Sequence, residues 1–346
     1  MNIAVLLGGM SPERNISLLS GRAVVRALSA KGHRVTAVDP ARGANCVLTS
    51  AELDAARPEP VSNELLASFS PRNLVDCVMS DALTGVDVVF LALHGRYGED
   101  GYVQSLLDLR GIPYTGSGML ASAIAIDKAA TKVMFEAVQV PTPPWVTFTE
   151  TTANDEAALE QCLHHLGTSI VIKPNDQGST VGMTILHDAT DATLSQAVND
   201  ALAFSSLALV ETYVPGRELT VAVLGGEALP IIEIAPKEGY YDYENKYTKG
   251  RTEYHCPADL PDYVAHHVQS LAVMAHEVVG CRAYSRVDFR LTPEMEPWCL
   301  EVNTIPGFTE TSLVPMAAAQ CGIAFDELCE TLIDLSVKGS SPSPAS

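Results

Sequence analysis

The sequence predicts an α/β fold, with α+β parts, in which a parallel sheet comes first and antiparallel sheets follow. Residues 3–7 and 86–93 are continuous apolar runs, which are typical of parallel strands covered on both faces. Residues 285–290 and 300–304 alternate polar and apolar side chains, as half-buried strands do, and the turn formers of 292–297 lie between them. We therefore expect a doubly wound unit near the N-terminus and an antiparallel hairpin near the C-terminus.

Length and composition describe a globular protein of two or three domains. The chain has 346 residues, of which 47% are hydrophobic and 18% are charged. The net charge of −20 argues against general binding to nucleic acid or to anionic membranes, which needs a basic surface. The first residues have no basic region and no cleavage site, and no apolar run is long enough to cross a bilayer. Eight scattered cysteines without metal-ligand spacing favour a reduced, cytoplasmic protein.

The N-terminal unit is predicted to alternate strands with helices. Its elements, in chain order, are a strand at 3–7, a helix at 17–30, a strand at 34–38, a strand at 86–93 and a helix at 103–109. Residues 40–85 are polar and mixed in pattern, and they predict no defined element.

The rest of the chain is predicted to begin with a long helix that contains Asp127 and Lys128 and to cross a proline-rich boundary at 141–144. The elements that follow are a helix at 155–165, strands at 170–173 and 181–186, a helix at 192–204, a strand at 207–211 and, after the C-terminal hairpin, a helix at 325–336. Residues 340–346 contain only Ser, Pro and Ala, a composition that predicts a frayed tail.

The C-terminal hairpin carries the strongest functional signal. In the symmetric register Asp288 lies opposite Glu301, and Arg286 lies opposite Asn303. The packed face then consists of Val287, Phe289, Leu291, Leu300 and Val302. Two facing carboxylates repel each other, and a divalent cation such as Mg²⁺, shared with substrate phosphates, would turn that repulsion into a binding site. The structural alternative is a surface hairpin with a charged, solvated face.

Two loops of the N-terminal unit have the composition of binding loops. The loop that contains His94 and Glu99 follows the end of a buried parallel strand, where ligands of open α/β sheets gather, although a plain flexible loop is the alternative. The turn after the first strand carries Glu13, which could meet a substrate ammonium group. As a purely structural turn it would use Ser11 as helix cap and Pro12 at the first helical position.

Three further segments have binding and structural interpretations side by side. Backbone N–H groups around residues 178–180 could cradle phosphate with Lys173 supplying charge, or the segment is a hairpin turn. Glu211 and Glu218 could accept hydrogen bonds from an adenine amine and ribose hydroxyls, or they are solvated. The tyrosine-rich residues 240–250 could form a lid that excludes water, or a surface loop.

The order of these motifs along the chain is what identifies a family. The Glu13 loop, HGRYGEDG, YTGSG, Asp127-Lys128, VIKPNDQGSTVG, the Glu211 segment, YYDYENKY, RVDF and LEVNTIPGFTETS together resemble the D-alanine–D-alanine ligases of the ATP-grasp superfamily. The resemblance covers residues 1–40 and about 86–336, and it leaves 41–85 outside as a possible insertion.

The resemblance implies an ATP-grasp fold, in which a Rossmann-like N-terminal domain precedes two antiparallel-sheet domains that clasp ATP. It divides the chain into a Rossmann-like domain at 1–120, a central ATP-grasp subdomain at 121–211, a catalytic domain at 212–338 and a disordered tail at 339–346.

The resemblance also implies a nucleotide and metal site. Its members are Lys128, Lys173, Ser179 and Lys246 near the ATP phosphates, Glu211 and Glu218 at adenine and ribose, and Asp288, Glu301 and Asn303 around two Mg²⁺ or Mn²⁺ ions.

For the amino-acid substrates, the resemblance implies a second set of residues. Glu13 would bind the ammonium of the first D-alanine, with His94 and Glu99 nearby, and Arg286 and the Gly307 N–H would stabilise the oxyanion. Ser312 and Lys246 would lie near the carboxylate of the second D-alanine and the transferred phosphate. Glu13, Ser179 and Tyr247 would form a hydrogen-bonded latch.

The implied reaction is ATP-dependent formation of D-alanyl-D-alanine through an acyl phosphate, for peptidoglycan precursor synthesis. The implied partners are ATP and D-alanine, with no nucleic acid and no membrane, and the implied assembly is a homodimer. Relatives that make D-alanyl-D-lactate tend to have histidine at the position of Tyr247, so tyrosine favours D-alanine as acceptor. A same-fold ligase for D-serine or D-lactate and a non-catalytic nucleotide-binding protein are the alternatives.

Overall fold

The computed structural model describes residues 1–237 and 252–339. Its first part contains β1 (Asn2–Leu6), α1 (Arg14–Ala30), β2 (Arg34–Val38), α2 (Ser50–Asp54), α3 (Asn63–Ser68), α4 (Arg72–Val78), β3 (Val88–Leu91) and α5 (Tyr102–Arg110). The strands form a parallel sheet in the order β2-β1-β3, which confirms the predicted doubly wound unit. Residues 40–85, for which the sequence predicted no element, contain α2 to α4 and two short 3₁₀ helices at Pro40–Asn45 and Asp81–Leu83.

The predicted start of α1 was wrong. The helix begins at Arg14, three residues early, and its N-cap is Glu13 rather than Ser11. The Ser11 hydroxyl instead donates to the carbonyl oxygen of His94 at 2.6 Å, which fastens the Glu13 turn to the loop after β3. Arg14 is held by an ion pair of 2.5 Å with the fully buried Asp39, so the first helical turn is fixed by charge as well as by packing.

The middle of the chain forms a four-stranded antiparallel sheet in the order β4-β7-β5-β6. Its elements are α6 (Met119–Ile126), α7 (Lys128–Ala137), β4 (Trp145–Phe148), α8 (Glu156–Leu166), β5 (Ile170–Pro174), β6 (Thr184–Leu186), α9 (Asp191–Leu202) and β7 (Ala208–Thr212).

Two boundaries in this part correct the sequence prediction. The single long helix around Asp127 is two helices, because Asp127 has an extended backbone and its carboxylate accepts a hydrogen bond of 2.9 Å from the N–H of Ala130, capping α7. β6 begins three residues later than predicted, because Val181 and Met183 donate backbone hydrogen bonds to Gly178 and Thr180 and so belong to a turn.

The C-terminal part contains a six-stranded antiparallel sheet. Its elements are β8 (Arg217–Leu224), β9 (Glu227–Ala228), β10 (Ile232–Pro236), β11 (Thr252–His255), α10 (Asp262–Val279), β12 (Tyr284–Leu291), β13 (Pro297–Asn303), α11 (Leu313–Gln320) and α12 (Phe325–Gly339). The strand order is β11-β10-β8-β12-β13, and β9 pairs with β8. The predicted tail at 340–346 lies outside the described residues.

The hairpin of β12 and β13 has the predicted register at its functional end. Asp288 pairs with Glu301, and Arg286 pairs with Asn303. A β-bulge follows, so that Phe289 pairs with Cys299 and Leu300 is the extra residue. The expectation that Leu300 lies on the packed face was therefore wrong, since the fully buried Cys299 takes that place.

The parallel sheet and the C-terminal helices share one hydrophobic core. Phe90 of β3 and Phe308 have ring centroids 5.7 Å apart, and Phe308 lies 6.0 Å from the ring of Tyr284 on β12. Leu332 of α12 belongs to the same cluster. This shared packing fixes the loops at the ends of β1 and β3 against the end of β13. Within the described residues, no helix is long and apolar enough to span a membrane.

The start of β8 requires a glycine for steric reasons. Gly216 has a φ of +126°, and a Cβ atom there would overlap the carbonyl oxygen of Leu291 at the end of β12. Gly226 also has a positive φ, +87°, but a Cβ there would meet nothing within 4 Å.

We predict that Gly216→Ala lowers the free energy of unfolding by about 3 kcal/mol or more, because backbone strain and overpacking add. Gly226→Ala, the matched control, should cost only about 1–2 kcal/mol. Urea unfolding followed by tryptophan fluorescence measures both. Equal losses would contradict the close packing of β8 against β12.

Candidate active site

The candidate site lies where loops from all three sheets meet. Ser179, in the turn between β5 and β6, donates a hydrogen bond of 2.5 Å to the Glu13 carboxylate at the start of α1. The ammonium of Lys128, at the start of α7, lies 3.3 Å from the Glu301 carboxylate on β13. His94 Nδ1, after β3, lies 3.1 Å from the carbonyl oxygen of Ile305. These contacts bring together segments that are remote in the chain.

The facing carboxylates of the hairpin are each held by a cation. The Arg286 guanidinium donates to both Asp288 oxygens, at 2.9 and 2.7 Å, and the Thr220 hydroxyl donates to Asp288 Oδ1 at 2.6 Å. Lys128 lies against Glu301, as described above. The repulsion across the ladder is therefore offset by one positive group on each side.

The donor chemistry at this end of the hairpin fits Mg²⁺. Asp288 and Glu301 supply carboxylate oxygens, and Asn303 adds an amide oxygen that accepts one hydrogen bond of 3.1 Å from the N–H of Ile305. The described residues contain no group of three or more His, Cys, Asp or Glu that could hold a metal ion. Two carboxylates and one amide suit an ion that completes its shell with phosphate oxygens and water.

Glu211 is more tightly held than the sequence suggested. Lys173 approaches its Oε1 at 2.6 Å and Lys132 approaches its Oε2 at 2.9 Å. Burial alone would raise the pKa of Glu211, but the two ammonium groups outweigh it and lower that pKa. Burial lowers the pKa of Lys132, whose side chain is inaccessible to solvent. Sequence reasoning missed Lys132, although its position four residues after Lys128 on one helix placed the two on the same face.

Glu218, the second glutamate predicted near the nucleotide, lies on β8 beside Arg290 near the C-terminal end of β12. One of its oxygens is 3.5 Å from Arg290 Nη1. It pairs in register with Ile234 and Arg290. Glu218 is therefore on the C-terminal sheet, whereas Glu211 is on the central sheet, so the two glutamates come from the two sheets that the sequence expected to clasp a nucleotide.

The turn that carries Ser179 has an unusual backbone. Ser179 and Thr180 have φ angles of 51° and 59°, two consecutive non-glycine residues in the left-handed region. Such strain is found where a loop is shaped for a ligand. Two of the three members of the predicted latch, Glu13 and Ser179, are in contact. Tyr247, the third, lies with Lys246 outside the described residues.

His94 and Glu99 form a buried pair beside Glu13. His94 Nδ1 lies 3.7 Å from a Glu99 oxygen, and the other Glu99 oxygen accepts a hydrogen bond of 2.9 Å from the N–H of Gly95. Burial alone would lower the pKa of His94, but Glu99 and Glu13 outweigh it and raise that pKa. Burial raises the pKa of Glu99. Gly95 has a φ of +68°, and a Cβ there would lie 2.9 Å from Ser11 Cβ and 3.1 Å from a Glu13 oxygen, so only glycine fits without displacing the Glu13 turn.

Gly307 and Ser312 lie together at the N-terminus of α11. Ser312 is the N-cap residue, and its hydroxyl accepts a hydrogen bond of 2.9 Å from the N–H of Thr309. A Cβ at Gly307 would lie 3.5 Å from that hydroxyl oxygen. The unpaired N–H groups of a helix N-terminus favour anions, which suits a site for a carboxylate or an oxyanion.

Family comparisons cover most of the chain. Residues 2–117 match a family model described as the D-ala D-ala ligase N-terminus, and residues 134–334 match the D-ala D-ala ligase C-terminus. The N-terminal match runs through residues 41–85, which the motifs alone had left outside the resemblance.

Individual relatives agree with the family models. A D-alanine--D-alanine ligase from Syntrophotalea carbinolica is 42% identical over 335 residues, which cover 96% of this chain and 94% of the relative. Among solved structures, a D-alanine--D-alanine ligase from Bacillus anthracis has a TM-score of 0.77 at 29% identity, with 98% of each chain covered. The same enzyme complexed with ATP has a TM-score of 0.74 at 27% identity, again with 98% of each chain covered.

The raised pKa of His94 predicts a pH-dependent stability. A group whose pKa is higher in the folded state stabilises the fold fully below its unfolded pKa, about 6.5 for histidine, and this stabilisation is lost as the pH rises through the folded value. We therefore expect His94→Gln to cost more free energy of unfolding at pH 6 than at pH 8.5, measured by urea unfolding. His267→Gln, at an exposed position on α10, controls for loss of a histidine. A His94→Gln cost that is the same at both pH values would contradict the buried pair.

Proposed function

Because this chain belongs to the D-alanine–D-alanine ligase family, we propose that the candidate site described above forms a cleft that carries out the ATP-dependent joining of two D-alanines. The enzymes of this family form a carbon–nitrogen bond through an acyl phosphate and supply peptidoglycan precursors. The observation that carries the assignment of the site is the carboxylate pair Asp288 and Glu301, with Lys128 and Arg286 beside it.

Phosphoryl transfer needs positive charge around the nucleotide phosphates. A carboxylate is a poor electrophile, so the first step transfers the terminal phosphoryl group of ATP to the carboxylate of one D-alanine. We assign charge neutralisation to Lys128 and Lys173, whose side chains are mostly buried and therefore act in a region of low dielectric. Glu211 on the central sheet and Glu218 on the C-terminal sheet are assigned to adenine and ribose.

A divalent metal is the second part of this proposal. Asp288, Glu301 and Asn303 would hold Mg²⁺ or Mn²⁺, two ions in all, which would shield the phosphate charge when bound. Arg286 donates hydrogen bonds to both oxygens of Asp288 in this structure. The proposed metal ligand, Asp288, is therefore in direct contact with Arg286, the residue assigned to the oxyanion.

The second step places negative charge on the carbonyl oxygen of the acyl phosphate. The amine of the second D-alanine attacks this carbon, and we assign the resulting oxyanion to the Arg286 guanidinium and the Gly307 N–H. Ser312, whose hydroxyl lies next to Gly307, is assigned to the carboxylate of the second D-alanine. Lys246 is assigned to the transferred phosphate, and phosphate leaves.

The first D-alanine is assigned to the N-terminal side of the cleft. Glu13 would bind its ammonium group, and the buried His94–Glu99 pair would support that loop. The hydrogen bond from Ser179 to Glu13 fits a latch that closes the phosphate-binding turn over the substrate, to which we also assign Tyr247. Exclusion of water protects the acyl phosphate from hydrolysis.

The remaining parts of the proposal concern organisation. We propose three domains at 1–120, 121–211 and 212–338, a homodimer and a cytoplasmic location, as the family resemblance implies.

Product identification tests the whole proposal. We would incubate the purified protein with ATP, Mg²⁺ and a panel of D-alanine, D-serine and D-lactate, and identify the products by mass spectrometry. We expect ADP, phosphate and D-alanyl-D-alanine. A preference for D-lactate at neutral pH would favour a depsipeptide ligase, and absence of ADP would favour a non-catalytic nucleotide-binding protein.

A second prediction concerns the metal site. Glu301→Ala should lower kcat by about 100-fold or more, because a metal ligand is lost. Binding of Mn²⁺ to the protein with ADP, measured by electron paramagnetic resonance, should weaken in parallel. Glu294→Ala, an exposed carboxylate in the turn of the same hairpin, is the control. Unchanged Mn²⁺ binding in Glu301→Ala would remove Glu301 from the site.

A further inference from the structure

Lys132 lies in the interior of the protein, where a charged side chain needs strong partners. It is on α7, four residues after Lys128, and its side chain is 0% exposed. Its ammonium group donates hydrogen bonds to Thr142 Oγ1 at 2.7 Å and to the Pro143 carbonyl oxygen at 3.1 Å, and it forms an ion pair with Glu211 Oε2 at 2.9 Å. The two hydrogen bonds hold the ammonium group in place beside the carboxylate.

Glu211 is shared between two lysines that differ in their freedom to move. The Lys173 side chain is 12% exposed, whereas the Lys132 side chain is enclosed. Lys132 is also tied to the segment 141–144, which is itself fixed by backbone hydrogen bonds from Cys299 to Pro141 and from Thr212 to Pro144. Only Lys173 can therefore turn from Glu211 toward a ligand in the cleft.

The charges around Glu211 show what Lys132 contributes. With Lys173 turned toward a nucleotide phosphate, Glu211 would have lost one of its two counter-charges while its side chain remained 4% exposed. A buried carboxylate without a cation is strongly disfavoured, and it would take up a proton or change its conformation. Lys132 prevents protonation and a change of conformation of Glu211, because its fixed ammonium group stays beside Glu211 Oε2.

We propose that Lys132 is a positioning residue that keeps Glu211 ionised and aligned toward adenine and ribose while Lys173 contacts phosphate. This inference rests on the roles proposed above for Glu211 and Lys173. It predicts that Lys132 affects recognition of the nucleoside part of ATP, which its own side chain cannot reach, and that it does so through Glu211.

The test compares nucleotide binding in four proteins: wild type, Lys132→Met, Glu211→Gln and the double variant. Isothermal titration calorimetry gives Kd for ADP with Mg²⁺, and competition gives Kd for adenosine, which has no phosphate. We expect Lys132→Met to raise both Kd values by about tenfold, which corresponds to about 1.4 kcal/mol. The double variant should bind within about twofold of Glu211→Gln alone, because residues that act through one contact are not additive.

Two further variants separate positioning from general stability. Lys132→Arg keeps the charge and should recover most of the adenosine affinity. Thr142→Val removes another acceptor of Lys132 without touching Glu211, and it should lower the unfolding temperature while leaving Kd for adenosine unchanged. If Lys132→Met alone does not fold, recovery of a folded protein in the double variant is the expected result, because a neutral amide then replaces the buried carboxylate that lost its partner.

Each contrary result has a separate meaning. Normal adenosine binding in a folded Lys132→Met protein, additive losses in the double variant, or a double variant that does not fold would overturn the role of Lys132. Normal adenosine binding in Glu211→Gln would overturn the proposed role of Glu211, and this inference with it. Neither result depends on turnover, so formation of D-alanyl-D-alanine is judged independently by its own assay.

Discussion

The arrangement of the cleft depends on two like charges held face to face. Asp288 and Glu301 are directly opposite on neighbouring strands, a placement that costs free energy unless cations offset it. Arg286, on β12, and Lys128, at the start of α7, supply the cations that offset this repulsion. Segments that are remote in the chain meet near this pair, because Lys128 reaches Glu301 from α7 and His94 reaches the carbonyl oxygen of Ile305, two residues after β13.

The sequence predicted the parallel strands and the C-terminal hairpin because their signals are local, but it did not predict β4 or the strands β8 to β11. Continuous apolar runs predicted the parallel strands, and the alternation at 285–290 and 300–304 predicted the register of Asp288 with Glu301. It failed where one side chain changes the backbone path. Asp127 caps a second helix inside what looked like a single one, and the bulge at Leu300 moves Cys299 into the core. Neither the helix cap nor the bulge changes the periodicity of apolar residues from which the elements were predicted.

The candidate site was predicted in part, for a related reason. Motif order pointed to the glutamates, the lysines and the hairpin carboxylates, whose roles stay predictions, and the structure brings Glu13 and Ser179 into contact. Side-chain contacts between different sheets could not be predicted from the sequence, because they depend on tertiary packing. The sequence marks Lys132 only as a residue of a helix, and its contact with Glu211 follows from the tertiary structure. Arg286 was expected at an oxyanion, whereas its guanidinium contacts Asp288.

The β-bulge on β13 also decides on which face of the hairpin Glu301 lies. On the turn side of the bulge the inward residues are Pro297 and Cys299, and beyond it the inward residue is Val302, so the strand switches parity at Leu300. A change of length in the exposed turn leaves this switch untouched. If Leu300 instead rejoined the ladder, regular alternation from Cys299 would turn Glu301 inward and Val302 outward. The extra residue is therefore what allows two core side chains and an outward carboxylate to share one short strand.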